Sequence, residues 1–118
     1  MLIFKKKKIQ SYLNNLGNNK TAFDFLLCDY LNGNLKKELE SIGFLKIDMY
    51  IDWLENHKCI SIQCKYQKYY VDIQIYKDEF SVSYDLDEPD EDIIYSLESK
   101  QQMYKTLSDV IQIMEKNK

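Results

Sequence analysis

The chain has no arginine; all sixteen of its basic residues are lysines. Arginine supplies the planar fork that grips phosphates and guanine edges, so its absence argues against a nucleic-acid binder. A formal net charge of -3 and a pI near 5.2 also disfavour attraction to polyanions and anionic lipid. One proline and three glycines, set against ten tyrosines and five phenylalanines, exclude a disordered or low-complexity segment. No apolar run is long enough to span a membrane. After a short apolar start, the Lys5-Lys6-Lys7-Lys8 run is followed by no stretch of signal-peptide length.

Histidine and cysteine are scarce too. His57 stands alone, and Cys28, Cys59 and Cys64 make an odd count. Cys59 and Cys64 fall on opposite faces of a proposed strand, which disfavours a local disulfide or a shared metal site. A reduced, cytoplasmic setting is therefore expected. Zinc-ligand spacing, a glycine-rich phosphate loop and a nucleophile elbow are all absent. No catalytic residue, metal site or cofactor is expected.

What the chain does have is an almost unbroken alternation from Lys58 to Leu86. Ile60, Ile62, Cys64 and Tyr66 share one face, and Tyr69, Val71, Ile73 and Ile75 share another. Phe80, Val82, Tyr84 and Leu86 form a third such set. Period-two patterning in β-branched and aromatic residues predicts strands. Looping at Gln67-Lys68 sets Cys64 opposite Val71. Looping at Asp78-Glu79 sets Ile75 opposite Val82 and Ile73 opposite Tyr84. Apolar then faces apolar throughout, as a correct register requires. The prediction is a three-stranded antiparallel meander with one dry and one wet face, and Ile93-Ile94-Tyr95 as a candidate fourth, edge strand. A lone meander needs a cover for its dry face.

The flanks supply helices. Lys5 to Leu16 carries Ile9, Leu13 and Leu16 on one side, with Gly17 as a C-cap. Its lysine run opposes the helix dipole and reads as a solvated, fraying terminus, the alternative being a patch for an acidic partner or a membrane. Thr21 to Leu31 places Phe23, Leu26, Leu27, Tyr30 and Leu31 on one stripe. Asn32-Gly33 ends that helix, and Asn34 is expected to cap a third with Leu35, Leu39 and Ile42 inward. Beyond Gly43, helical spacing resumes at Ile47, Tyr50, Ile51 and Leu54, with Trp53 beside the stripe. His57 then reads as a polar cap at that helix's end; a reactive pair with Cys59 is the alternative. A DNA-binding helix-turn-helix is disfavoured, because no basic recognition face follows the turn. At the C-terminal end, Ser99 and Gln102 make a capping box. The last helix carries Met103, Leu107, Val110, Ile111 and Met114 and is the leading cover for the sheet.

The expected fold is thus α+β in a single domain over 1–118. Residues 1–43 form a helical N-terminal extension, and 44–116 hold a helix, the meander and the C-terminal helix. The N-terminal helices are expected to lie over the second sheet face.

The most distinctive surface feature is the acidic turn Asp85, Asp87, Glu88, Asp90, Glu91 and Asp92 around Pro89. Read as a calcium loop starting at Asp85, it puts Asp90 where glycine is needed and Ser96 where the bidentate acid belongs. As a charged surface, it would steer a basic protein and reject a polyanion. Tyr70 and Tyr76 flank Asp72 on the wet face, and tyrosines among short polar residues anchor interfaces. These nine residues are the candidate binding set.

The run Lys46-Ile47-Asp48-Met49-Tyr50-Ile51-Asp52-Trp53-Leu54, read as a Trp-bearing helix, precedes the alternating strands and a closing Leu107–Ile113 helix. In length, acidity and order this resembles small bacterial immunity proteins of polymorphic-toxin and contact-dependent inhibition systems, the TriTu type above all, over Phe44 to Met114. The resemblance implies a cytoplasmic, non-catalytic inhibitor that occludes the C-terminal domain of a cognate toxin, often a basic nuclease. A non-toxin adaptor and a small carboxylate-dependent hydrolase are the alternatives. Neither nucleic acid nor membrane is an expected partner, and oligomeric state is left open.

Overall fold

A computed structural model describes residues 2–54 and 56–116, without the side chains of residues 2 and 3. Met1, Glu55, Asn117 and Lys118, included in the single-domain expectation, lie outside the described residues. The elements run α1 (Leu2–Leu16), α2 (Ala22–Asn32), α3 (Asn34–Ile42), β1 (Leu45–Leu54), β2 (His57–Tyr66), β3 (Tyr69–Ile75), β4 (Glu79–Asp85), β5 (Ile93–Ser96) and α4 (Lys100–Lys116). The strands form one antiparallel sheet in sequential order β1-β2-β3-β4-β5.

The helix boundaries follow local chemistry. Thr21 caps α2 in a full capping box with Asp24, whose carboxylate also accepts 2.7 Å from the Tyr12 hydroxyl. Gly33, at φ 86, ends α2 in the left-handed conformation and doubles as the N-cap of α3. Asn34 is therefore the first residue of α3 and not its cap; its N–H donates to the Asn32 side chain at 2.9 Å. Gly43 ends α3 at φ 125, where an added Cβ would stand 3.1 Å from the Tyr66 ring. In α4, Ser99 Oγ accepts from the Gln102 amide at 3.0 Å. The Gln102 side chain, however, reaches back to Glu98 N at 3.1 Å, so the box closes one residue early.

Residues Leu45–Leu54 are a strand and not the Trp-bearing helix expected there. Ile47, Met49, Ile51 and Trp53 also alternate with Asp48, Tyr50 and Asp52, and a partner strand decides between the two periods. Pairing with β2 sets Ile51 opposite Ile60 and Met49 opposite Ile62, satisfying a ladder that a lone helix could not offer. A β-bulge lies between Leu45 and Asp48, with Lys46 at φ 51. The extra residue flips the pleat, so Leu45 pairs with Lys65 on the opposite face from Ile47. His57 accordingly opens β2 and caps no helix.

The β2–β3 register has Cys64 opposite Val71 and Ile62 opposite Ile73, as the alternation requires. The β3–β4 register differs by two residues: Ile75 faces Phe80 and Ile73 faces Val82. The turn is centred on Lys77-Asp78, closed by Tyr76 N–H to Glu79 O at 2.8 Å. An even shift preserves which face each side chain takes. It does carry Leu86 beyond the end of β4, where it is 49% exposed and contributes nothing to the dry face.

All four helices add buried residues to one hydrophobic core, and its sheet members come from a single face. Ile9 and Leu13 of α1, Phe23, Leu26 and Leu27 of α2, Leu35 and Leu39 of α3, and Met103, Leu107 and Met114 of α4 pack with Ile51, Ile60, Ile62, Val71, Ile73, Ile75, Phe80 and Val82. The result is a two-layer α+β fold, helices on one face of an antiparallel sheet. The N-terminal helices lie in this layer and not over the second face, where Tyr50, Tyr70 and Ile94 stay 46%, 42% and 64% exposed. No helix among the described residues is long and apolar enough to cross a membrane.

Candidate functional site on the open sheet face

Cross-strand pairing arranges the open face in rows. One runs Tyr50, Ser61, Gln74, Ser81, Ile94 from β1 to β5. Beside it runs Asp48, Gln63, Asp72, Ser83, and beyond that Lys65, Tyr70, Asp85. On the other flank Asp52 faces Cys59, and Glu79 faces Ser96. Small residues make the floor low: Cys59, Ser61, Ser81 and Ser83 are buried between taller neighbours. The Ser61 hydroxyl donates to Gln74 Oε1 at 2.6 Å, and the Cys59 thiol donates to the same oxygen at 3.3 Å.

The acidic turn folds back over this face. Asp87 and Glu88 with Pro89 wall a cleft of about 270 Å³ whose other sides are Gln63, Tyr70 and Asp72. Asp92 shares a second cleft, of about 220 Å³, with Tyr76, Glu79, Ser81 and Ile94. The structure therefore brings together six of the nine expected residues: Asp87, Glu88, Asp92, Asp72, Tyr70 and Tyr76. Asp85 caps the turn, its Oδ1 accepting from Leu86 N at 2.7 Å. Asp90 and Glu91 stay exposed in the loop and line neither cleft. Tyr76 stacks edge-on to His57 at 5.8 Å between ring centroids.

The electrostatics are one-sided. Among the described residues, the paired strand positions of this face carry Asp48, Asp52, Asp72, Glu79 and Asp85, with Lys65 as the one lysine paired there. Its ammonium sits 4.7 Å from the Tyr70 ring centroid, a cation–π contact. Among the described residues, the ion pairs Lys100–Asp29 and Lys105–Asp109 belong to the helical layer. Burial pushes the Asp72 carboxyl upward, and the nearby Asp92 charge adds to the rise. Asp72 thus sits partly desolvated beside a like charge, the environment that a cation relieves.

Asp48, Tyr50 and Asp52 complete the face, and reading their segment as a helix hid them. The signal was the alternation of Asp48, Tyr50 and Asp52 with Ile47, Met49, Ile51 and Trp53.

Nucleophile chemistry finds little support. Burial raises the Cys59 thiol despite its hydrogen bonds, the reverse of an activated thiolate. Cys64, in the helix-side core, is pushed up to about 12 by burial and then by Asp72. Among the described residues, no three His, Cys, Asp or Glu side chains gather as a metal-ligand group. The chain matches no known family model, no curated protein and no solved structure.

Proposed function

We propose that this protein is a non-catalytic inhibitor of the immunity type, which captures a basic protein domain on its open sheet face and occludes that domain's working surface. The observation that carries the reading is a five-stranded face, covered by no helix among the described residues, whose paired strand positions bear five carboxylates and one lysine, Lys65. Exposed Tyr50, Tyr70 and Ile94 supply apolar anchors among those charges. Interfaces combine such anchors with a polar rim. The carboxylates speed encounter with a basic partner by roughly ten- to a thousand-fold at low salt and repel polyanions. Because Lys46–Leu54 is a strand, the proposal rests on this face and not on a Trp-bearing helix.

The test is a search for a toxin gene beside the one for this chain, coexpression with the C-terminal domain of any such toxin, and association kinetics on the purified pair. Growth rescue with a tight complex is expected. Neutralising Asp87, Glu88, Asp90, Glu91 and Asp92 to Asn or Gln should slow association and flatten its salt dependence. Absence of a complex would refute the immunity reading, while a basic non-toxin partner on the same face would make the chain an adaptor.

A further inference from the structure

We infer that the partner adds a strand to the β1 edge of the sheet: an extended segment in which basic residues alternate with apolar ones. This rests on the reading of the open face as a surface for a basic protein, and it names the element received there.

β1 lies at one margin of the sheet and is hydrogen-bonded to a strand on one side only, by β2. From Asp48 to Leu54 its register is unbroken, and about half of an edge strand's N–H and C=O groups point away from the ladder. Among the described residues, the one side chain bonded to the β1 backbone is Lys5, whose ammonium donates to the Ile51 carbonyl at 2.9 Å. A lysine at an edge hinders pairing with further chains, but this one serves a single carbonyl. Strand addition uses the remaining groups; a helix has spent its own internally. The other margin, β5, offers only the four residues Ile93–Ser96. The clefts under the acidic turn are lined from β2 to β5 and by no residue of β1, so the β1 edge stands clear of that overhang.

The two faces of β1 set the chemistry of the added segment. On the helix side Ile51 is buried, but Ile47, Met49 and Trp53 are only half-buried. The inner strands bury Ile60, Ile62, Val71, Ile73 and Ile75 to 1% exposure or less. The core therefore stops short at this margin, and alternate apolar side chains on a sixth strand would continue it. On the open side Asp48, Tyr50 and Asp52 stand exposed. Opposite charges attract across a strand pair and like charges repel, so the residues facing these carboxylates are basic. The same rule disfavours a second copy: two β1 strands paired about Tyr50 set Asp48 against Asp52 twice, between chains that each carry a net charge of -3.

The experiment titrates the full chain with a capped peptide of alternating lysine and valine. Two relatives are N-methylated at every second residue, at the lysines in one and the valines in the other. An added strand turns the N–H groups of alternate residues toward the edge. One methylated form should therefore bind about tenfold more weakly than the parent, and the other nearly as well. Amide shifts and slowed hydrogen exchange should run along Asp48–Leu54. The Asp48→Asn/Asp52→Asn double variant, at two exposed positions, should weaken the parent peptide, with spectral dispersion checking the fold. No binding by the parent, equal affinity of the two methylated forms, or shifts centred on β3 to β5 would overturn strand addition and leave capture of a basic protein to the coexpression test. Self-association of the free chain that protects the β1 amides would give the edge to a second copy and overturn this occupant. Shifts confined to the helical layer would overturn both the added strand and the open face.

Discussion

Replacing Ile51 with alanine probes the assignment of Leu45–Leu54 directly, because a helix and a strand bury different residues there. As a helix, the segment turns Ile47, Tyr50, Ile51 and Leu54 inward together. As the observed strand it buries Ile51, 1% exposed, and leaves Tyr50 and Leu54 at 46% and 64%. Ile51 packs in the core and faces Ile60 across the ladder. Truncating it loses the transfer energy of the removed carbons plus a cavity term, about 2–4 kcal/mol in all. Leu54→Ala deletes atoms already in water and should cost under about 0.5 kcal/mol. Urea unfolding followed by the single Trp53 is the assay; its ring lies 5.2 Å from Tyr12, edge to face, and loses that contact on unfolding. At this chain length, Ile51→Ala should lower Tm by roughly 6–20 °C. Comparable losses from Ile51→Ala and Leu54→Ala, with unchanged m-values, would refute the strand.

Two further outcomes follow from single side chains. The Tyr104 hydroxyl is buried without a hydrogen-bond partner among the described residues, so Tyr104→Phe should be neutral or stabilising by up to about 1 kcal/mol; thermal melts showing a loss of 2 kcal/mol or more would reveal a bond at that oxygen. For Asp72, burial and then Asp92 raise the folded-state pKa above its unfolded value. The folded state then holds the proton more tightly, so stability falls as pH climbs from the ordinary aspartate range through that raised value. Asp72→Asn removes this dependence: the variant should be the more stable protein at pH 7, with the gap closing as pH falls toward 4. A gap independent of pH in paired urea titrations would contradict this.

Much of the fold was legible wherever one period stood alone. Cys64 opposite Val71 and the Met103–Met114 stripe each had a single consistent reading, and both carry buried residues. Ile47 to Leu54 carried two periods at once, and the choice lay in β2, a partner that local spacing does not contain. The turn at Lys77-Asp78 lacks glycine or asparagine, so nothing local distinguished it from Asp78-Glu79; parity survived and register did not. The bulge at Lys46 left no mark, since a positive φ at lysine is a tertiary outcome. The acidic turn was evident as charge, but its fold over Gln63 and Asp72 depends on long-range packing.

The pleat has a consequence for how this protein can change. Along β1 to β4 one set of alternate residues builds the core, and the set between them faces outward. Ile60, Ile62, Ile73 and Val82 hold the helices, while Asp48, Tyr50, Gln63 and Asp72 do not join the core. Substitutions at the outward positions can redraw the recognition surface without disturbing the scaffold. Divergence among descendants of this chain should therefore concentrate at every second position, and a new specificity would require no new fold.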